Sequence, residues 1–88
     1  MNPASGSPFG LILLVGVCPI PPLVRELLSE GASVIFYGEG VNNPWSGERD
    51  TFYLLQDVEG RGRVPFSQCV TDDQCVQMLL SATKVLTF

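Results

Sequence analysis

The chain has 88 residues, five Lys/Arg against nine Asp/Glu for a net charge of −4, and no histidine. That length holds one domain. The acidic balance leaves no basic patch for a phosphate backbone, so nucleic acid is not an expected partner, and the missing imidazoles exclude Ser-His-Asp and Cys-His pairs within the chain.

Hydrophobic residues make up 45% and charged residues 16%, below the usual charged share of about 25%. A compact domain with more apolar surface than its own core can hide is therefore expected, and self-association is the usual remedy. The three cysteines, Cys18, Cys69 and Cys75, are odd in number and show no CxxC spacing. They fit neither a disulfide framework nor a zinc site. Reduced thiols in a cytoplasm, with no metal and no cofactor, are the expectation.

In chain order, residues 1–8 read as a polar, flexible lead-in to a single domain over residues 9–88. Phe9 to Val17 is a continuous apolar run, the pattern of a central parallel strand covered on both faces. No Lys or Arg precedes Arg25, so the run lacks the positive flank of a secretory signal. It is also too short to span a bilayer, so no membrane association is expected. Pro19, Pro21 and Pro22 end the strand and start a helix. There Ile20, Leu23, Val24, Leu27 and Leu28 form one apolar stripe, and Gly31 supplies the stop.

Ala32 to Tyr37 reads as a second buried strand, and Gly38 to Pro44 as a loop. A second helix is expected from Asp50 to Glu59, with Phe52, Leu54, Leu55 and Val58 inward. Gly60-Arg61-Gly62-Arg63 breaks it. Val64 to Val70 is a third strand with Pro65 near its start. Thr71-Asp72-Asp73-Gln74 matches a capping box for a third helix running to Ser81. Lys84 to Phe88 is a short fourth strand. The order βαβαβαβ predicts a small three-layer α/β sandwich of flavodoxin-like type, with a mostly parallel four-stranded sheet in the order 2-1-3-4.

Ligands in such sheets collect at the carboxyl ends of the strands. Cys18, the Gly38-Glu39-Gly40 loop and Cys69 all fall there, and together predict one pocket with Cys69 as its reactive group. Cys69 also precedes the N-cap of the third helix by two residues, where amides and the helix dipole favour a thiolate. Asp72 and Asp73 oppose that effect by repulsion. Cysteine is equally at home as a small buried hydrophobe, and Cys75, one turn into the helix, fits that packing role better. Gly38-Glu39-Gly40 is not a phosphate-binding fingerprint, since it places a carboxylate where a phosphate would lie. Trp45 and Tyr37 can line a pocket, and a loop tryptophan suits an oligomer contact equally.

Glu30-Gly31-Ala32-Ser33-Val34-Ile35-Phe36-Tyr37-Gly38-Glu39-Gly40-Val41-Asn42 resembles the second strand and loop of the DsrE/TusD family of sulfur-relay proteins. Ser46 to Val70 runs in step with that family's next helix and strand, ending in the Cys-Val of its sulfur-carrying cysteine. Ala82 to Phe88 is similar to its closing strand. The likeness covers roughly three quarters of the chain, which is shorter than family members on both sides of the cysteine. The resemblance implies a DsrE-like fold and a persulfide carrier using Cys69; the strand-end argument adds Cys18, Gly38, Glu39 and Gly40 as binding residues. The resemblance also implies a sulfur donor or acceptor protein as partner and a trimer or hexamer; from the small size and apolar excess, a homo-oligomer that is a dimer or trimer is expected here. The alternative is a catalytically silent small-ligand or protein-binding assembly module that keeps the fold.

Overall fold

In the computed structural model, which describes residues 9–88, the first apolar run becomes β1 (Phe9–Val15). The expected lead-in, residues 1–8, lies outside the described residues. α1 (Pro22–Ser29) opens on proline, whose missing N–H costs nothing in a first turn. Gly31, at φ +103°, reverses the chain behind it. The Gly31 N–H donates to Leu28 O and the Ala32 N–H to Leu27 O, both at 3.1 Å, which satisfies the last carbonyls of the helix. β2 (Ser33–Phe36) is buried throughout, and a short 3-10 helix, Gly38–Asn42, follows it.

The expected helix from Asp50 to Glu59 is two elements instead, β3 (Thr51–Leu54) and α2 (Leu55–Gly60). Thr51 and Tyr53 are buried while Phe52 and Leu54 are half-buried, the two-residue alternation of a strand. A Thr-Phe-Tyr run also favours the extended chain, through β-branched and aromatic side chains. The expected third strand shrinks to β4 (Cys69–Val70), with Val64 83% exposed ahead of it. α3 (Asp72–Ser81) starts with both halves of the capping box made: Gln74 N–H to Thr71 Oγ1 at 3.2 Å and Thr71 N–H to Gln74 Oε1 at 2.8 Å. β5 (Ala82–Thr87) closes the described chain.

The α/β class holds, but the sheet is five-stranded and runs β4-β3-β2-β1-β5, with every neighbouring pair parallel. The expected four strands in the order 2-1-3-4 are corrected accordingly. The unforeseen β3 takes the place beside β2 and pushes the Cys69 strand to the sheet edge. The far side of β1 is then left for β5.

Strand register sorts the side chains onto two faces. Leu13, Val15, Val34, Phe36 and Tyr53 share one face and form the main core with Val24 of α1 and Val58 of α2. Ile12 and Ile35, fully buried, lie on the other. The chain returns from β4 to β5 in the direction opposite to its earlier crossovers, so right-handedness places α3 over that second face. α3 touches β1, β4 and β5, yet none of its residues is fully buried. Val76 is 50% exposed and Leu80 76% exposed. Among the described residues, no helix is long and apolar enough to cross a membrane.

Candidate functional site

Cys69 lies half-buried on the edge strand, opposite Tyr53. A tight turn brings it there: the Cys69 N–H donates to Phe66 O at 3.0 Å, and the Phe66 N–H points back at Cys69 Sγ at 3.5 Å. The sulfur thus has a main-chain donor. Phe66 meets Tyr53 edge-on at 5.0 Å between ring centroids and stacks on Trp45 at 5.8 Å. The Arg63 guanidinium sits 5.7 Å from the Phe66 ring centroid and 6.0 Å from that of Tyr53. It is anchored by donating to Val41 O. Asp72, expected to repel a thiolate, also accepts from Gln56 Nε2 at 2.8 Å. Cys69 therefore sits between an aromatic group carrying a cation and the capped start of α3.

Gly38, Glu39 and Gly40 are tied into contacts within the chain. The Gly38 N–H donates to Asp57 Oδ2 at 2.8 Å, and Gly38 O accepts from Arg61 Nε at 3.2 Å. Glu39 pairs with the same arginine at 2.9 Å. Asn43 Nδ2 donates to Gly40 O and Val17 O, both at 2.9 Å, and Tyr53 Oη donates to Asn43 O at 2.7 Å. The loop is a clasp that ties the ends of β1 and β2 to α2 and β3. Gly40 fits because its backbone lies against Val15: a Cβ there would fall 2.1 Å from Val15 O. Burial pushes the Tyr53 phenol up to about 12, with nearby Arg63 pulling the other way.

Cys18 is exposed just past the end of β1, joined to Pro19 by a cis peptide bond. Its strand end meets the glycine clasp, through Val17 O. It does not meet Cys69: β2 and β3 stand between β1 and β4, three strand spacings or about 14 Å. The single pocket expected around Cys18, Gly38, Glu39, Gly40 and Cys69 is therefore divided. Cys75 is half-buried, and burial followed by the Asp72 charge raises its thiol above the ordinary range. Among the described residues, no three Cys, Asp or Glu side chains are grouped as a metal ion would need.

A cavity of about 470 Å³ lies elsewhere, between α1 and the loop 43–50 over the start of β3. Its walls include Arg25, Leu28, Phe36, Glu48, Asp50 and Thr51, and no cysteine. Sequence reasoning missed this site. Arg25 lies three and four residues before Leu28 and Ser29, on the same helix face, and that spacing was the available signal. Nothing local ties that face to the loop 43–50. No protein-family model, curated protein or solved structure matches the chain.

Proposed function

We propose that the chain is a sulfur carrier of DsrE/TusD type that holds sulfane sulfur as a persulfide on Cys69. The observation that carries the reading is the half-buried thiol receiving the Phe66 N–H at 3.5 Å, two residues before the N-cap of α3. In loading, the Cys69 thiolate attacks the terminal sulfur of a donor persulfide. A new S–S bond forms at Cys69 Sγ, the donor's S–S bond breaks, and the donor leaves as thiolate with the electron pair. An acceptor thiolate then attacks the same terminal sulfur and Cys69 departs as thiolate. No external oxidant or cofactor enters either step. The Phe66 amide and the α3 N-terminus stabilise the charge that Sγ carries as nucleophile and leaving group.

The carrier works in the cytoplasm as a dimer or trimer, built on the second sheet face. Val76 and Leu80 on α3, Val85 on β5, and half-buried Phe52 and Leu54 leave that face incompletely covered. Intact-mass measurement after exposure to a low-molecular-weight persulfide tests the sulfur chemistry. The expected result is one added sulfur, lost in Cys69→Ser and kept in Cys18→Ser. A native chain that gains no sulfur, or gains it equally in Cys69→Ser, overturns the reading.

A further inference from the structure

We propose that the cleft between α1 and the loop 43–50 is a binding site for a free α-amino acid with an apolar side chain. The cleft measures about 470 Å³, within the span of about 300–1,000 Å³ usual for small-molecule sites. It is separate from Cys69, so the inference does not depend on the sulfur chemistry.

The first indication is a buried hydroxyl. Thr51 is 6% exposed and lines the cleft, on the same strand face as Tyr53. Its main-chain oxygen accepts from Gln68 Nε2 at 2.7 Å, but among the described residues its hydroxyl has no hydrogen-bond partner. Buried polar groups are seldom left so. Asn43, also buried in the cleft wall, shows the contrast on the donor side: its Nδ2 is spent on Val17 O and Gly40 O. Among the described residues, Thr51 thus lines the cleft as a buried hydroxyl with its donor unused.

The second indication is the placement of charge. Arg25 stands on the α1 wall and forms no ion pair or hydrogen bond through its side chain among the described residues. Asp50, on the side of the loop, is likewise unengaged through its carboxylate. Glu48 beside it spends one oxygen on the Ser46 N–H at 3.2 Å. Unlike charges therefore line one cleft without pairing to each other. Between them lie Leu28 and Phe36, apolar and half-buried to buried. A ligand that completes this set carries an ammonium, a carboxylate and a hydrocarbon side chain. The ammonium meets Asp50, Glu48 and the Thr51 hydroxyl, the carboxylate meets Arg25, and the side chain covers Leu28 and Phe36.

Amide chemical-shift titration of the isotope-labelled full chain tests this with three probes: L-leucine, L-leucinamide and 4-methylpentanoate. Leucinamide keeps the ammonium without the carboxylate, as a peptide N-terminus would, and 4-methylpentanoate keeps only the carboxylate. Leucine is expected to give saturable shifts centred on residues 25–29 and 43–51. Each single-charge probe should bind up to about fivefold more weakly, as loss of one exposed charge pair implies. Arg25→Gln should weaken leucine by a similar factor and leave leucinamide unchanged. Thr51→Val should weaken leucine and leucinamide alike. The inference is overturned by absence of saturable shifts up to about 10 mM. Equal binding of leucine and leucinamide overturns it too, as does an Arg25→Gln variant that binds leucine like the parent chain.

Discussion

Gly40→Ala is the substitution that the clasp should tolerate least. The added Cβ would sit 2.1 Å from Val15 O and 3.0 Å from the Val15 carbonyl carbon. An ordinary carbon–oxygen contact is about 3.3 Å or more, so the two backbones must part by roughly 1 Å. Val15 is fully buried and held in the sheet between β2 and β5, so the 3-10 helix has to give. Gly40 accepts from Asn43 N at 3.1 Å and from Asn43 Nδ2 at 2.9 Å, and its own N–H donates to Tyr37 O at 2.8 Å. Overpacking at such a site costs about 1–3 kcal/mol. One or two weakened buried hydrogen bonds add about 1 kcal/mol each. A loss of about 2–5 kcal/mol is expected, a large part of the roughly 4–13 kcal/mol that a domain of this size commands. Gly38→Ala is the control. Gly38 has φ +52° with open space around a Cβ, so only the left-handed backbone is penalised, by about 1–2 kcal/mol. Urea unfolding followed by circular dichroism compares the two. A Gly40→Ala variant no less stable than Gly38→Ala would refute the account of the clasp.

Tyr53, fully buried, keeps its proton in the folded chain up to about 12 while the unfolded phenol loses it near 10. Its contribution is intact below pH 10 and is lost as pH rises from 10 to 12; urea midpoints across that range should fall less steeply in Tyr53→Phe, and a parallel fall would contradict the assignment. At neutral pH the same variant should lose about 1–2 kcal/mol, because Asn43 O gives up the hydroxyl donor at 2.7 Å. Cys75 should alkylate more slowly than exposed Cys18 at pH 8, and Asp72→Asn should speed it by removing a nearby negative charge. Peptide mapping by mass spectrometry reads both rates. Light scattering should find a dimer or trimer at micromolar concentration, and Leu80→Glu should shift it to monomer; a 9.5 kDa monomer for the parent chain contradicts the proposed assembly.

Much of the architecture was legible where one signal dominated. The unbroken apolar run of β1, the proline start and glycine stop of α1, and the Thr71–Gln74 box of α3 each act within a few residues. β3 was not legible for a physical reason. Phe52, Leu54, Leu55 and Val58 also satisfy a helical spacing, and the strand runs into α2 without a turn residue between them. Missing that strand misplaced the site as well. The residue reading put Cys69 beside Cys18, whereas β3 carries it to the edge. The glycines looked like a ligand loop because their partners, Asp57, Arg61 and the carbonyl of Val15, are distant in sequence.

The sheet order also dictates how the chain assembles. β1 finds one neighbour 21 residues away, at Ile12 and Ser33, but its other neighbour 73 residues away, at Phe9 and Ala82. The nearer pairing closes a short loop around α1, while the farther one must wait until every other element has emerged. Closure entropy rises only slowly with loop length, so the distant pairing adds little to the equilibrium cost. Its effect is kinetic, since sheets joined through long separations fold slowly. Until β5 docks, the most apolar strand of the molecule keeps a row of unpaired amides and carbonyls along one side. That interval is when the chain is most open to pairing with another copy of itself.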